Sequence, residues 1–206
     1  MVDLDSVYPL PPDRAEDAVT VLCDAFHDYP VMRYVIGDAA GDYDAHLREL
    51  IGFFVAARVL RNEPMIAIFD NAKAVAVAIM TPPGQREAAA EITERRERVW
   101  HMLGDEARAR YDNLGATWQR VGVTEPNLHL NMIGVLHSYA GAGLGRRLLE
   151  RVHEMSEADP ASTGVSLTTE DAGNVALYRY FGYEIVGREH ATDTLETWGF
   201  FRRNRS

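Results

Sequence analysis

Apolar residues recur at helical spacing over 13–26, where Ala15, Ala18, Val19, Leu22, Ala25 and Phe26 share one face and Asp13 stands where a cap would. Asp28, Tyr29 and Pro30 break that helix. The same period returns over 44–60 through Leu47, Leu50, Ile51, Phe54 and Ala57, and the segment between, 27–42, is aromatic and polar without a period. Runs 65–69 and 74–80 are β-rich and flank Asp70-Asn71-Ala72-Lys73, which predicts a hairpin; Pro82, Pro83 and Gly84 end it. From 86 to 122 the pattern is helical again, with Ile92, Val99 and Leu103 on one piece and Ala107, Tyr111, Leu114, Trp118 and Val121 on the next. The spacing of Trp100, Tyr111 and Trp118 predicts core residues before an aromatic pocket. Asn127–Leu136 reads as a central strand with Leu128, Leu130 and Met132 on one face and His129, Asn131 and Ile133 on the other. Gly134 marks a bulge or a close backbone approach. A strand at Gly164–Thr169, a helix at Asn174–Phe181 capped by Gly182, and strands at Tyr183–Val186 and Thr192–Phe201 complete the chain.

The chemistry concentrates in Ile133–Arg151, IGVLHSYAGAGLGRRLLER. It is a strand, a turn through Gly141, Gly143 and Gly145, and a helix whose Leu144, Leu148, Val152 and Met155 repeat at helical spacing. Glycines let a ligand approach the backbone, and the first helical amides lack intrahelical acceptors, so the arrangement suits a phosphate or pyrophosphate. A Walker loop is excluded, because Gly145 is followed by Arg146 and Arg147 instead of Lys and Ser or Thr. A dinucleotide-binding turn survives on spacing, since Glu170 follows the next strand, but such a turn normally opens its domain and here most of the chain precedes it.

At 206 residues the length fits one domain, here with a helical insertion at about 86–122. A net charge of -10 argues against nucleic acid as a partner. Met1–Asp5 lacks the basic and apolar regions of a signal peptide and no apolar run reaches membrane-span length, so a cytoplasmic protein with no membrane partner is expected. Cys23 is the only cysteine, which excludes an internal disulfide, and its place on an apolar helix face predicts a packed thiol. The alternating Arg and Glu of 91–110 describe a solvated face.

The run VLHSYAGAGLG at 135–145 resembles the acyl-CoA loop of the GCN5-related N-acetyltransferases, and NVALYRYFGYE at 174–184 resembles their second signature. "DAFHDYPVMR" and "NAKAVAVAIMTPP" are similar to stretches of the puromycin N-acetyltransferase-like branch, so the resemblance spans nearly the whole chain. It implies an α/β (α+β) fold: a mixed, mostly antiparallel sheet with splayed parallel strands 4 and 5 and helices on both faces. It implies acetyl-CoA as cosubstrate, no metal, and a small-molecule amine as acceptor. Cofactor contacts would come from Ile133, Gly134, Val135, Ala140, Gly141, Ala142, Gly143, Leu144, Gly145, Arg146, Asn174 and Tyr178. The pantetheine arm would add to the exposed strand edge at 133–135, where backbone N–H also faces the oxyanion. Tyr178 matches the tyrosine that serves the leaving thiolate.

The segment after the first helix borders the acceptor in this family, which makes Asp28, Tyr29 and Arg33 acceptor candidates, joined by His129 and Asn131 on the central strand. Asp28 as a turn cap and Tyr29 as a packing residue is the alternative. Relatives often carry glutamate near the end of the fifth strand, where Thr168 stands here; Glu170 is then a candidate base, with a strand-end cap as its alternative, and His129 acting through water is a second candidate, with a structural strand histidine as its alternative. Ala140 stands where Arg or Gln is usual, and His137 where Pro is usual. The expected activity is N-acetyl transfer to a small amine by a monomer or homodimer; the alternative is a degenerate acyl-CoA-binding or sensing protein. Retention of Asn174 together with Tyr178 favours the enzyme.

Overall fold

The computed structural model describes residues 4–37, 41–84 and 90–205. Seven strands form one sheet in the order β1-β2-β3-β4-β5-β7-β6, from β1 (Tyr8–Pro9), β2 (Met65–Asp70), β3 (Lys73–Thr81), β4 (Leu128–Val135), β5 (Gly164–Thr169), β6 (Glu184–His190) and β7 (Glu196–Arg203). Every pairing is antiparallel except β4 with β5. The β2–β3 hairpin turns through Asn71 and Ala72, both at positive φ, the geometry that suits the right-handed twist of the flanking strands.

One face of the sheet carries α1 (Ala15–Phe26), α2 (Pro30–Ile36), α3 (Tyr43–Leu60), α4 (Ala90–Leu103) and α5 (Asp105–Val121), whose buried residues join Val77, Ile79 and Met132 in one core. The other carries α6 (Leu144–Ala158), which buries Leu144, Leu148, Leu149 and Val152 against Ile66, Ala78 and Leu130, and Tyr178 of α7 (Gly173–Tyr180) joins that second core. α3 begins on Asp42, whose carboxylate accepts the Ala45 N–H at 3.1 Å. Gly182, at φ 84, closes α7 by donating to the Arg179 carbonyl while Tyr183 donates to that of Tyr178. Burial, with the Asp44 charge beside it, pushes the Cys23 thiol up to about 11, in keeping with a packed thiol.

Four expectations need correction. Asp13 is not a cap: it lies in a 3-10 turn, Pro12–Arg14, and α1 starts after Arg14 without a side-chain cap. The segment after α1 holds the helix α2, with Pro30 in its first turn, where a fixed φ is pre-organised for helix. The strand bulge lies at Asn131, not Gly134: Met80 pairs with Leu130 and Ile79 with Met132, so Asn131 is the extra residue. The bulge reverses the facing, so that Leu128 and Leu130 enter the α6 core while Met132 enters the α1 core, and the three do not share a face. Gly134 instead serves close approach, since a Cβ there would stand 2.8 Å from the Ala25 Cβ of α1. The expected helical region is seen from Ala90; residues 86–89 fall outside the described ones. Among the described residues no helix is long and apolar enough to cross a membrane, and no group of three or more His, Cys, Asp or Glu could hold a metal ion.

Candidate functional site

Two parallel strands twist apart when nothing holds their ladder, and here β4 and β5 pair only at Leu128 with Val165 and His129 with Ser166. Beyond that apex they diverge and leave the β4 edge from Leu130 to Val135 without a ladder partner on that side. Two cavities fill the opening. One is a groove of about 430 Å³ along 133–135, the glycine turn and the first turn of α6. The other is a deeper cavity of about 720 Å³ between the sheet and the helices α1, α2, α3 and α5. Ile133, Asn174 and Tyr178 line both, so the cavities meet there.

The groove is built by backbone. Gly141 and Gly143 sit at φ 79 and 77, a conformation that costs an L side chain about 1–2 kcal/mol, and a Cβ at either would point into open space. Gly143 precedes α6 and no side chain caps the helix, so the amides of Leu144, Gly145 and Arg146 keep the positive end of the dipole open to the groove. Of the expected cofactor residues all line this groove except Ala142. The Ala142 amide is used within the loop, donating to the Tyr139 carbonyl at 3.3 Å. Arg146 lies against Tyr180 and Phe181, 5.5 and 5.6 Å from the ring centres, which places a cation at the wall. An open strand edge, glycines with free space above them and a cationic helix start fit the amide groups and pyrophosphate of acyl-CoA.

At the junction Tyr178 is packed by Tyr183 and Phe200, with ring centres 5.7 and 5.5 Å away, and its hydroxyl makes no hydrogen bond to a described residue. Burial, then the nearby Glu170 and Asp171 charges, pushes that phenol up to about 12. Glu170, 8 % exposed, follows β5 and gathers three donors: Trp118 Nε1 at 2.8 Å and Thr197 Oγ1 at 3.0 Å on Oε1, and the Tyr29 hydroxyl at 3.1 Å on Oε2. Burial raises its pKa above the usual carboxylate value, opposed by those three bonds. Tyr29 also accepts the Glu170 backbone N–H at 2.9 Å, so hydroxyl and carboxylate lock each other.

His129 sits at the apex. Asn127 donates its amide to the Glu125 carbonyl at 2.7 Å, which aims its Oδ1 at Ser166 Oγ, 2.5 Å away; with the Ser166 proton spent there, His129 Nδ1 at 2.8 Å must donate to Ser166. Nε2 is therefore the bare nitrogen. Burial first and the Arg58 charge second pull this imidazole down to about 4, so it is neutral at pH 7.

Tyr29, His129 and Asn131 line the deep cavity, whereas Asp28 and Arg33 do not. Asp28 is exposed and bonds Arg33 at 2.5 Å and His27 at 3.1 Å, and the Arg33 guanidinium beside it holds its carboxyl below the usual value. Tyr111 and Trp118 are both core and cavity wall, while Trp100 is core only. Sequence reasoning missed Arg58, which lines the cavity although 9 % exposed. A signal was present: Arg58 follows Phe54 by four and Ile51 by seven, so it falls on the apolar face of α3.

The acetyltransferase (GNAT) domain family matches residues 85–198, more than half of the chain. No curated protein matches in sequence. Among solved structures the chain is similar to "histone acetyltransferase HPA2 and related acetyltransferase" from Corynebacterium glutamicum (20 % identity, TM-score 0.71, 98 % of this chain and 97 % of that one). It is also similar to a polyamine N-acetyltransferase of Drosophila melanogaster that forms N-acetylagmatine (16 %, TM-score 0.62, 95 % and 97 %). A mosquito arylalkylamine N-acetyltransferase like 5b is a third (16 %, TM-score 0.62, 96 % and 99 %). At these identities the likeness is one of fold.

Proposed function

Because the chain belongs to the GNAT acetyltransferase domain family, and is therefore an acyl-CoA-dependent N-acetyltransferase, we propose that it acetylates the amine of a small molecule with acetyl-CoA by direct attack in one complex. Structural relatives named for polyamine and arylalkylamine substrates support a small amine as the acceptor class. The observation that carries the reading is the junction of a phosphate-ready groove with a larger, aromatic-walled cavity at Ile133, Asn174 and Tyr178. A thioester held at that junction supplies an activated acetyl group to whatever amine the deep cavity presents.

The chain's own groups divide the remaining work. The β4 edge near Ile133 offers backbone N–H to the developing oxyanion. Tyr178 donates a hydrogen bond to the sulfur as it leaves. Glu170 accepts the ammonium proton on Oε2, whose single donor among the described residues, Tyr29, leaves one lone pair. Its raised pKa suits that task better than an ordinary carboxylate would.

The test is release of free thiol from acetyl-CoA with a panel of amines, with the product mass rising by one acetyl group. Turnover that needs both amine and acetyl-CoA is the expected result. Protection of the fold by CoA without turnover on any amine would instead support an acyl-CoA-binding or sensing protein.

A further inference from the structure

The deep cavity carries an unused cation. Arg58 lines it, and among the described residues its one ionic partner is Glu63, 2.6 Å from Nε in a contact too bent for a hydrogen bond. Glu63 does not line the cavity, so it neutralises the guanidinium from behind; its side chain is 1 % exposed. The two terminal nitrogens of Arg58 bond no described residue, and both keep accessible surface on a residue that lines the cavity. They therefore present a planar pair of charge-assisted donors to the interior, the geometry that matches a carboxylate.

Position adds to this. Arg58 follows Phe54 by one turn of α3, so the guanidinium lies on the Phe54 side of the cavity, while Glu170 and Tyr178 line it at the junction. The wall between is aromatic: Phe54 stacks on Tyr111 at 6.0 Å, Tyr111 meets Trp118 at 5.6 Å, and Trp118 donates to Glu170. A cation at one end, an apolar span and an acidic end beside the acyl donor describe a complementary molecule. We infer that the acceptor is an amino acid in the broad sense, an amine joined through an aromatic or aliphatic spacer to a carboxylate that Arg58 binds.

This inference rests on the acetyltransferase reading, and the experiment separates the two. Initial rates with acetyl-CoA are measured for pairs that differ only in the acid: 4-(2-aminoethyl)benzoate against 2-phenylethylamine, and 6-aminohexanoate against pentylamine. At least one acid is expected to exceed its partner about tenfold or more in kcat/KM. In Arg58→Gln/Glu63→Gln, which removes both charges and strands neither, that ratio is expected to fall to near one. Acids no better than their partners, or a ratio unchanged in the double variant, would overturn the anion site. If neither member of any pair is acetylated, rates do not report on the site and calorimetry with 4-ethylbenzoate decides it alone. Binding to the wild-type protein and not to the double variant upholds it; equal binding, or none, overturns it.

Discussion

Replacing Tyr178 with Phe removes one oxygen from the junction and little else. The ring stays packed between Tyr183 and Phe200, and the lost hydroxyl bonds no described residue, so no buried partner is orphaned. Stability should change by no more than about 0.5 kcal/mol. The chemical cost follows from acidity. A phenol held at about 12 is some 3.5 units weaker as an acid than a thiol near 8.5, so complete proton transfer to the thiolate is uphill by about 5 kcal/mol. What remains is a hydrogen bond that strengthens as charge gathers on sulfur, worth about 1.5–3 kcal/mol with a charged partner. At about 1.4 kcal/mol per decade this predicts a 10- to 150-fold fall in kcat. Free-thiol release in the steady state, with a pre-steady-state experiment to show that chemistry limits, measures it. CoA affinity and the melting point serve as controls. Because the phenol stays protonated across the working range, wild-type activity should show no loss below pH 10 that Tyr178→Phe abolishes. Near wild-type kcat in Tyr178→Phe with chemistry limiting would reassign Tyr178 to packing.

Glu170→Gln keeps an oxygen for Trp118 and Thr197 but removes the proton acceptor, so kcat/KM should drop about 10²-fold and the acidic limb of its pH profile should vanish; a retained limb would place the base elsewhere. Gly143→Ala forces a Cβ into left-handed backbone and should weaken CoA binding at least tenfold, whereas Gly145→Ala meets only Val135 Cγ2 at 3.8 Å and should leave the fold intact; calorimetry with CoA checks both. Gly134→Ala places a Cβ 2.8 Å from that of Ala25 and should cost about 1–3 kcal/mol of stability in a denaturant titration, for the backbones of α1 and β4 cannot both stay in place. Between pH 6.5 and 4 an unfolded His129 binds a proton that the folded one refuses, so stability should fall by up to about 3 kcal/mol as pH drops through that window; the loss should shrink in His129→Gln.

Local chemistry was enough for the elements whose conformation depends on near neighbours. The glycines at 141, 143 and 145 signalled a turn that a ligand can approach, since that depends on the missing Cβ alone, and α3 and the β2–β3 hairpin were readable from period and turn residues. The resemblance of 135–145 and 174–184 to acyltransferase signatures carried the family because those contacts are made by contiguous backbone. α2 escaped because seven residues span only two turns, too few for a period, although Pro30 announced its start. The position of the bulge was settled between β3 and β4: which residue is squeezed out of a ladder depends on the partner strand, so Asn131 bulged and Gly134 was spent on contact with α1. The deep cavity lies furthest from sequence logic. Tyr29, Arg58, Trp118, His129 and Glu170 come from α1–α2, α3, α5, β4 and the end of β5, and each looks like an ordinary amphipathic or strand-end residue on its own element. Their shifted acidities come from burial against one another, a property of the packed assembly that no window of sequence contains.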